Sequence, residues 1–381
     1  MVQQAIWPFA CGKVVGLLRF DRMKALVLAG GRGTRLRPIT NTVNKHLIPI
    51  AGRPMIFRVL DDIAECGIKE VVINLNKGDK EVPSAIGDGS KWGIKITYIE
   101  QEIPNGMMYP ILMAEPLLKD EPFLLFAGDN ILSGGIKKYL DEFLASDATA
   151  HLLVTKVQNW ERFGVAVVQD GKMTKTVEKP SEFVSDLAVT GVYFYRQPIF
   201  EAMKNVQPVV KGNSAIPEYY PPLAHQWLID HGHTITVSEV TGWWKDTGKP
   251  EDLLEGNSLA LHGIETSNLG QTDPKAVIQG KVRIGKGTRI GAGVKIRGPV
   301  SIGNDCVLES CYIGPYTSIG DRVTITGGEI EHSILMNEVT IKTKKRIVER
   351  ILGERCVVGS VSDSFPSGHK LIIGDQTMVE L

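Results

Sequence analysis

Residues 23–38 read MKALVLAGGRGTRLRP, and the two halves of this stretch set the fold. Apart from Lys24, Met23 to Ala29 is a continuous apolar run, as a strand buried on both faces of a sheet requires. It empties into Gly30, Gly31 and Gly33, three glycines within four positions. There, backbone N–H groups turn inward without Cβ obstruction and make a nest for phosphate oxygens. Glycine alone would mark only a turn. The cations Arg32, Arg35 and Arg37, with Lys45 beyond Pro38, make it a polyphosphate cradle: a guanidinium bridges two oxygens and an ammonium supplies a compact charge to a third. The spacing is neither G-x-x-x-x-G-K-[ST] nor G-x-G-x-x-G, so ATP hydrolysis and dinucleotide binding lose support.

Outward from this turn, short apolar runs alternate with helical spacing. Met55 to Cys66 has a helical apolar face closed by Gly67, and Val71 to Leu75 is the next strand; the pattern recurs through Ile94 to Ile99, Ile111 to Leu118 and Phe123 to Ala127. This predicts an α/β, doubly wound, mostly parallel Rossmann-like sheet with ligands at the carboxyl ends of its strands. After about residue 275 a six-residue period takes over. Ile278, Ile284, Ile290, Ile296, Ile302 and Leu308 are six apart, and after a one-residue shortening Ile313, Ile319 and Ile325 resume the row. Glycine follows Ile284, Ile290, Ile302, Ile313 and Ile319, where a tight corner is expected to need φ above zero. Such a register predicts a hexapeptide-repeat β-helix of three to four coils, structural or oligomerising in role.

A chain of 381 residues exceeds what one core usually serves, and the expected division is 1–22, 23–263 and 264–381. Residues 1–22 lack a cationic start before a continuous apolar core and read as an upstream extension or mis-assigned start. The 43 basic residues balance the 43 acidic ones, so no global field draws nucleic acid or anionic lipid. No run approaches the roughly 18 apolar residues of a membrane-spanning helix. Cys11, Cys66, Cys306, Cys311 and Cys356 are odd in number and without CxxC spacing, which suits structural thiols in a reducing cytoplasm. His231 and His233, two apart without a third ligand, read as loop residues.

Gly30-Gly31-Arg32-Gly33-Thr34-Arg35-Leu36-Arg37-Pro38-Ile39-Thr40 with Lys45 resembles the signature of the sugar-1-phosphate nucleotidylyltransferases. Within them it is most similar to the long-form glucose-1-phosphate thymidylyltransferases, which carry a C-terminal left-handed β-helix. The resemblance spans residues 23–381. It implies that Leu28, Gly30, Gly31, Gly33 and Thr34 hold a nucleotide, and that Asp129 and Asp246 hold Mg²⁺. Gln101 and Gly106, at the family's spacing, would read the base, since an amide offers the donor and acceptor that match a pyrimidine imide. Gly164, Glu178, Thr190 and Trp244 would line the sugar pocket. The family continues this glycine as Gly-Leu-Ala-His/Gln-Ala; here Gly106 is followed by Met107-Met108-Tyr109-Pro110.

The activity so implied is nucleotidyl transfer from a nucleoside triphosphate, dTTP first, to a sugar 1-phosphate, glucose 1-phosphate first. Arg35, Lys45 and Lys179 would be the catalytic charges. A phosphate oxygen is already anionic, so no general base is needed and alignment plus charge neutralisation suffices. UTP-dependent transfer, a non-catalytic regulatory paralogue and an acyltransferase using the β-helix are the competing readings. A cytoplasmic homo-oligomer is expected.

Overall fold

The computed structural model describes residues 23–210 and 216–359; the expectations for residues 1–22, Cys11 and residues beyond 359 lie outside these. The opening run forms β1 (Lys24–Leu28), whose central Ala25, Leu26 and Val27 are buried completely. It lies between β2 (Glu70–Asn76) and β4 (Phe123–Ala127), parallel to both, and β3 (Lys95–Gln101) extends β2 in the same sense. Crossovers run through α1 (Met55–Glu65), α2 (Glu81–Ile86) and α3 (Tyr109–Leu118). In α1, Met55, Ile56, Val59, Leu60 and Ile63 recur at helical spacing and are all buried. Pro110 is tolerated in the first turn of α3, where its missing N–H has no partner to lose.

The remaining elements are β5 (Asn130–Leu132), α4 (Lys137–Ala145), β6 (Ala150–Lys156), β7 (Gly164–Gln169), β8 (Lys172–Glu178), β9 (Leu187–Tyr195), α5 (Pro198–Asn205), α6 (Pro221–Asp230), β10 (Ile235–Glu239), β11 (Trp244–Asp246) and α7 (Pro250–His262). The main sheet runs β3-β2-β1-β4-β9-β6-β10-β8-β7. Its first four strands are parallel; β9 then pairs antiparallel to β4 and β6. One core on each face carries this sheet, β1 sending Ala25 and Val27 to one and Leu26 to the other. β5 and β11 form a separate antiparallel ribbon that sets Asp246 opposite Asn130.

From Ser267 to Gly359 the chain winds through three parallel sheets of six, six and five short strands. That is nearly six coils, more than the three to four expected. Beyond Ile325 the inward row continues as Ile330, Leu335, Ile341, Ile347, Leu352 and Val358, an irregular mixture of steps of five and six that hides the period. The corner glycines also play a different part from the expected one. Gly285, Gly291, Gly303, Gly314 and Gly320 are absent from the positive-φ positions, which fall two residues later at Gly287, Gly293, Asp305, Tyr316 and Arg322. The glycines are needed for stacking: a Cβ on Gly285 would lie 2.4 Å from the Gly303 carbonyl oxygen of the next coil.

The coils are seated against the transferase unit. Arg283 donates to the Ala51 carbonyl oxygen at 2.6 Å and to Ser301 Oγ. Fully buried Asn257 accepts from the Ala51 N–H at 2.8 Å and donates to the Tyr316 carbonyl oxygen at 3.0 Å. Below the glycine turn, Leu36, Ile48, Ile50 and Met55 share one apolar cluster with Ile334 of the fifth coil. Cys66, Cys306 and Cys311 are buried free thiols, whereas Cys356 is exposed.

Candidate active site

A cavity of about 560 Å³ opens at the carboxyl ends of β1 and β4, within the usual range for small-molecule sites. Every site residue expected from the sequence lines it except Gly33 and Arg37. Arg37, expected in the cradle, is exposed and is not among the lining residues. Gly33 acts through its backbone: at φ +60° it enters the turn Thr34–Leu36, and a Cβ there would press on Thr40 at 2.9 Å and on Lys45 Cβ at 3.1 Å.

The other loop glycines are clearances. A Cβ on Gly31 would fall 2.7 Å from Lys45 Cε, and one on Gly30 would fall 2.5 Å from Gln101 Nε2. Gln101 is buried and donates its amide N–H groups to the Gly30 carbonyl oxygen (3.0 Å) and Asn76 Oδ1 (3.2 Å). In this arrangement it offers a base an acceptor rather than the donor–acceptor pair expected. Gly106, at φ +92°, is fixed by a close backbone approach, since a Cβ would sit 2.6 Å from both N and O of Tyr219. Of the divergent Met107–Pro110 run, Met107 and Pro110 reach the cavity, Met108 is wholly buried beneath it and Tyr109 stacks on Tyr219.

At the centre, Lys45 pairs with Asp129, both largely buried. Burial works against the Asp129 charge, but Lys45, His46 and the Asn130 amide hold its carboxyl well below the usual carboxylate range. Thr247 donates to the Asp129 carbonyl oxygen through its N–H (3.2 Å) and hydroxyl (2.7 Å), which ties β11 to the end of β4. Asp246 is thereby brought beside Asp129. Burial first, and the Asp129 charge second, push its carboxyl up to about 6 against the pull of Lys45 and Arg35. The Arg35 guanidinium covers Gly248, where a Cβ would lie 2.7 Å from Nη2. Two apposed carboxylates, one already neutralised by an ammonium, are a donor set that fits a hard divalent cation. Among the described residues no cluster of three or more His, Cys, Asp or Glu joins them, so phosphate oxygens and water would complete the shell.

Asn130 is a hub that sequence reading left without a role. Its Oδ1 accepts from the Gly191 N–H (3.2 Å) and from Trp244 Nε1 (2.7 Å), while its Nδ2 donates to Asp129 Oδ1 (3.1 Å). Trp244 meets Phe163 edge to face at 5.5 Å. On the far wall, Gly164 clears Glu178, for a Cβ would be 3.0 Å from Oε2. Lys179 follows β8 with φ +46°, an uncommon conformation for a side chain, held by its N–H donating to the Phe163 carbonyl oxygen at 2.9 Å. Its ammonium lies 3.7 Å from Glu178 Oε1. Thr190 donates its hydroxyl proton to the Leu153 carbonyl oxygen (3.0 Å), so toward the cavity it can only accept. Two lining histidines, His46 and His225, also escaped sequence reading; burial lowers each to about 3, with the Lys45 charge adding to the effect at His46.

The chain is 40% identical over 361 residues to a glucose-1-phosphate thymidylyltransferase of Streptomyces antibioticus, covering 94% of this chain and 99% of the relative. It is 35% identical to a UTP–glucose-1-phosphate uridylyltransferase of Haloferax volcanii, covering 61% of this chain and 94% of that one. A crystal structure of a Bacillus anthracis protein assigned as a glucose-1-phosphate thymidylyltransferase, in complex with sucrose, superposes with a TM-score of 0.59 at 34% identity, covering 65% of this chain and 98% of that chain. Residues 281–311 match the bacterial transferase hexapeptide repeats. Residues 24–263 match the nucleotidyl transferase family, and the chain belongs to it.

Proposed function

We propose that the protein transfers a nucleotidyl group, thymidylyl from dTTP in the leading case, to a sugar 1-phosphate, with glucose 1-phosphate the first candidate. A sugar-phosphate oxygen attacks the α-phosphorus, a P–O bond forms, the α–β bridging P–O bond breaks, and pyrophosphate leaves with the electron pair. No proton need move. The observation that carries this reading is the convergence in one cavity of the glycine nest, Lys45, two apposed aspartates and the Glu178–Lys179 pair.

Within it, the Gly30–Thr34 backbone and Leu28 cradle the nucleotide, Gln101 and Gly106 bound the base, and Arg35 steadies the leaving phosphates. Lys45 neutralises the α-phosphate and Lys179 the nucleophile. Glu178 accepts from sugar hydroxyls, with Gly164, Thr190 and Trp244 shaping the ring's walls. Asp129 and Asp246 would hold a divalent cation, Mg²⁺ in our reading, which when bound offsets charge on the phosphate oxygens. UTP is the alternative donor, supported by the Haloferax volcanii relative.

The proposed division is a transferase domain at 23–263 and a β-helix domain from 264, with 1–22 outside the described residues. Free thiols at Cys66, Cys306 and Cys311 support a reducing cytoplasmic setting. The hexapeptide-repeat coils support a homo-oligomer. Among the described residues no helix is long and apolar enough to cross a membrane. The test is incubation with Mg²⁺, each common nucleoside triphosphate and a panel of sugar 1-phosphates, with products weighed by mass spectrometry. Absence of pyrophosphate release with every pair overturns the reading.

A further inference from the structure

Among the described residues, three that line the cavity carry a buried side-chain atom with no hydrogen-bond partner: Asn74 at Nδ2, Thr176 at Oγ1 and His225 at Nδ1. A dry, unpaired polar atom is destabilising, and a fold tolerates it where a ligand supplies the missing bond. Asn74 stands beside Gln101 and Gly30, at the nucleotide end. The other two belong to β8 and α6. Thr176 is two residues before Glu178 on β8, so the two side chains share a face of the strand, and α6, which carries His225, packs on β8. Thr176 is 7% exposed and His225 is 0% exposed.

The imidazole is fixed in place. Its Nε2 is hydrogen-bonded to the Tyr195 hydroxyl at 2.7 Å, and its ring lies 5.7 Å from that of Tyr193 and 5.9 Å from that of Tyr195. Burial lowers its pKa to about 3, so the ring is neutral and offers Nδ1 without charge. A neutral pole on the same strand face as Glu178 does not suit a phosphate. A hydroxyl, which both donates and accepts, satisfies either imidazole tautomer and the threonine hydroxyl as well.

We propose that Thr176 and His225 form a second polar pole of the sugar pocket, one that binds a ring hydroxyl remote from the anomeric phosphate and thereby selects among sugar 1-phosphates. This rests on the sugar-1-phosphate reading above. A site built around a substrate hydroxyl discriminates against the analogue lacking it, because its buried polar atoms are then left unpaired.

The experiment compares kcat/KM for glucose 1-phosphate and its four monodeoxy analogues in the wild type, Thr176→Val and His225→Leu. In the wild type one analogue should lose roughly 10- to 100-fold through these two groups. Both variants should lose that discrimination through the sugar KM, leaving the other analogues' penalties and the triphosphate KM in place. Thr176→Val nearly preserves volume and decides the matter alone should His225→Leu fail to fold. Unchanged discrimination in a folded variant, or an effect confined to the triphosphate KM, overturns the second pole while leaving transfer intact. A chain that turns over no sugar 1-phosphate refutes the transfer reading itself, and the pole with it.

Discussion

Replacing Asp246 by asparagine tests the paired-carboxylate centre through stability as well as rate. The Asp246 carboxyl is raised from 3.8 to about 6 by burial and by Asp129. A carboxyl that binds its proton more tightly when folded subtracts stability as pH rises through that window; the loss is absent below 3.8 and complete above about 6. The gap corresponds to about 3 kcal/mol at 1.36 kcal/mol for each pH unit. That is an upper bound, because the group opens on a wet cavity, and about 1–2 kcal/mol is expected. Asparagine removes the charge at nearly constant volume. Ligand-free, metal-free Asp246→Asn should therefore melt about 2–6 °C above the wild type at pH 8, and the gain should fade toward pH 4.5. Turnover should meanwhile fall by about 10²- to 10³-fold. Thermal unfolding of both proteins across this pH range, with pyrophosphate release assayed beside it, decides the question. A variant less stable than the wild type at pH 8, or a gain independent of pH, would refute the apposition of the two carboxylates.

Four other outcomes follow from the same geometry. Lys45→Met should lower turnover by about 10²- to 10³-fold and destabilise by about 3 kcal/mol, because Asp129 is left buried without its partner; adding Asp129→Asn should restore most of the stability in a denaturant titration. Chelation by EDTA should abolish pyrophosphate release and Mg²⁺ should restore it, whereas activity persisting in the chelator removes the roles given to Asp129 and Asp246. Gly285→Ala drives a Cβ onto the Gly303 carbonyl and should cost about 1–3 kcal/mol, seen as a lower melting temperature and faster proteolysis of the coils. Arg283→Ala should cost about 1–3 kcal/mol by leaving the Ala51 carbonyl oxygen and Ser301 without their donor, read by calorimetry.

The parts legible in the sequence were those where one residue type answers one physical demand. The uninterrupted apolar run before Gly30 could only be an interior strand, and the six-residue aliphatic row could only be stacked coils. What escaped depended on distance in the fold. Asn130 bonds Gly191 and Trp244, 61 and 114 positions away, and nothing local marks it as a hub. His225 sits in an ordinary helix whose partner tyrosine is 30 residues earlier. The glycines of the β-helix were found but given the wrong reason, since sequence shows that a Cβ is absent without showing whether φ or a neighbour forbids it. The coil number fell short because steps of five and six interleave after Ile325, while pairing along the three sheets continues undisturbed.

The cluster of Leu36, Ile48, Ile50 and Met55 with Ile334 means that the cradle rests on a foundation laid by a segment some three hundred residues downstream. Cutting the chain after α7 would yield a different object rather than a smaller enzyme, with the underside of its substrate loop wetted and free to sag. Whatever rigidity the stacked coils possess is lent to that loop. Thermal tolerance engineered into the distal half should accordingly reappear as endurance of catalysis in the proximal one.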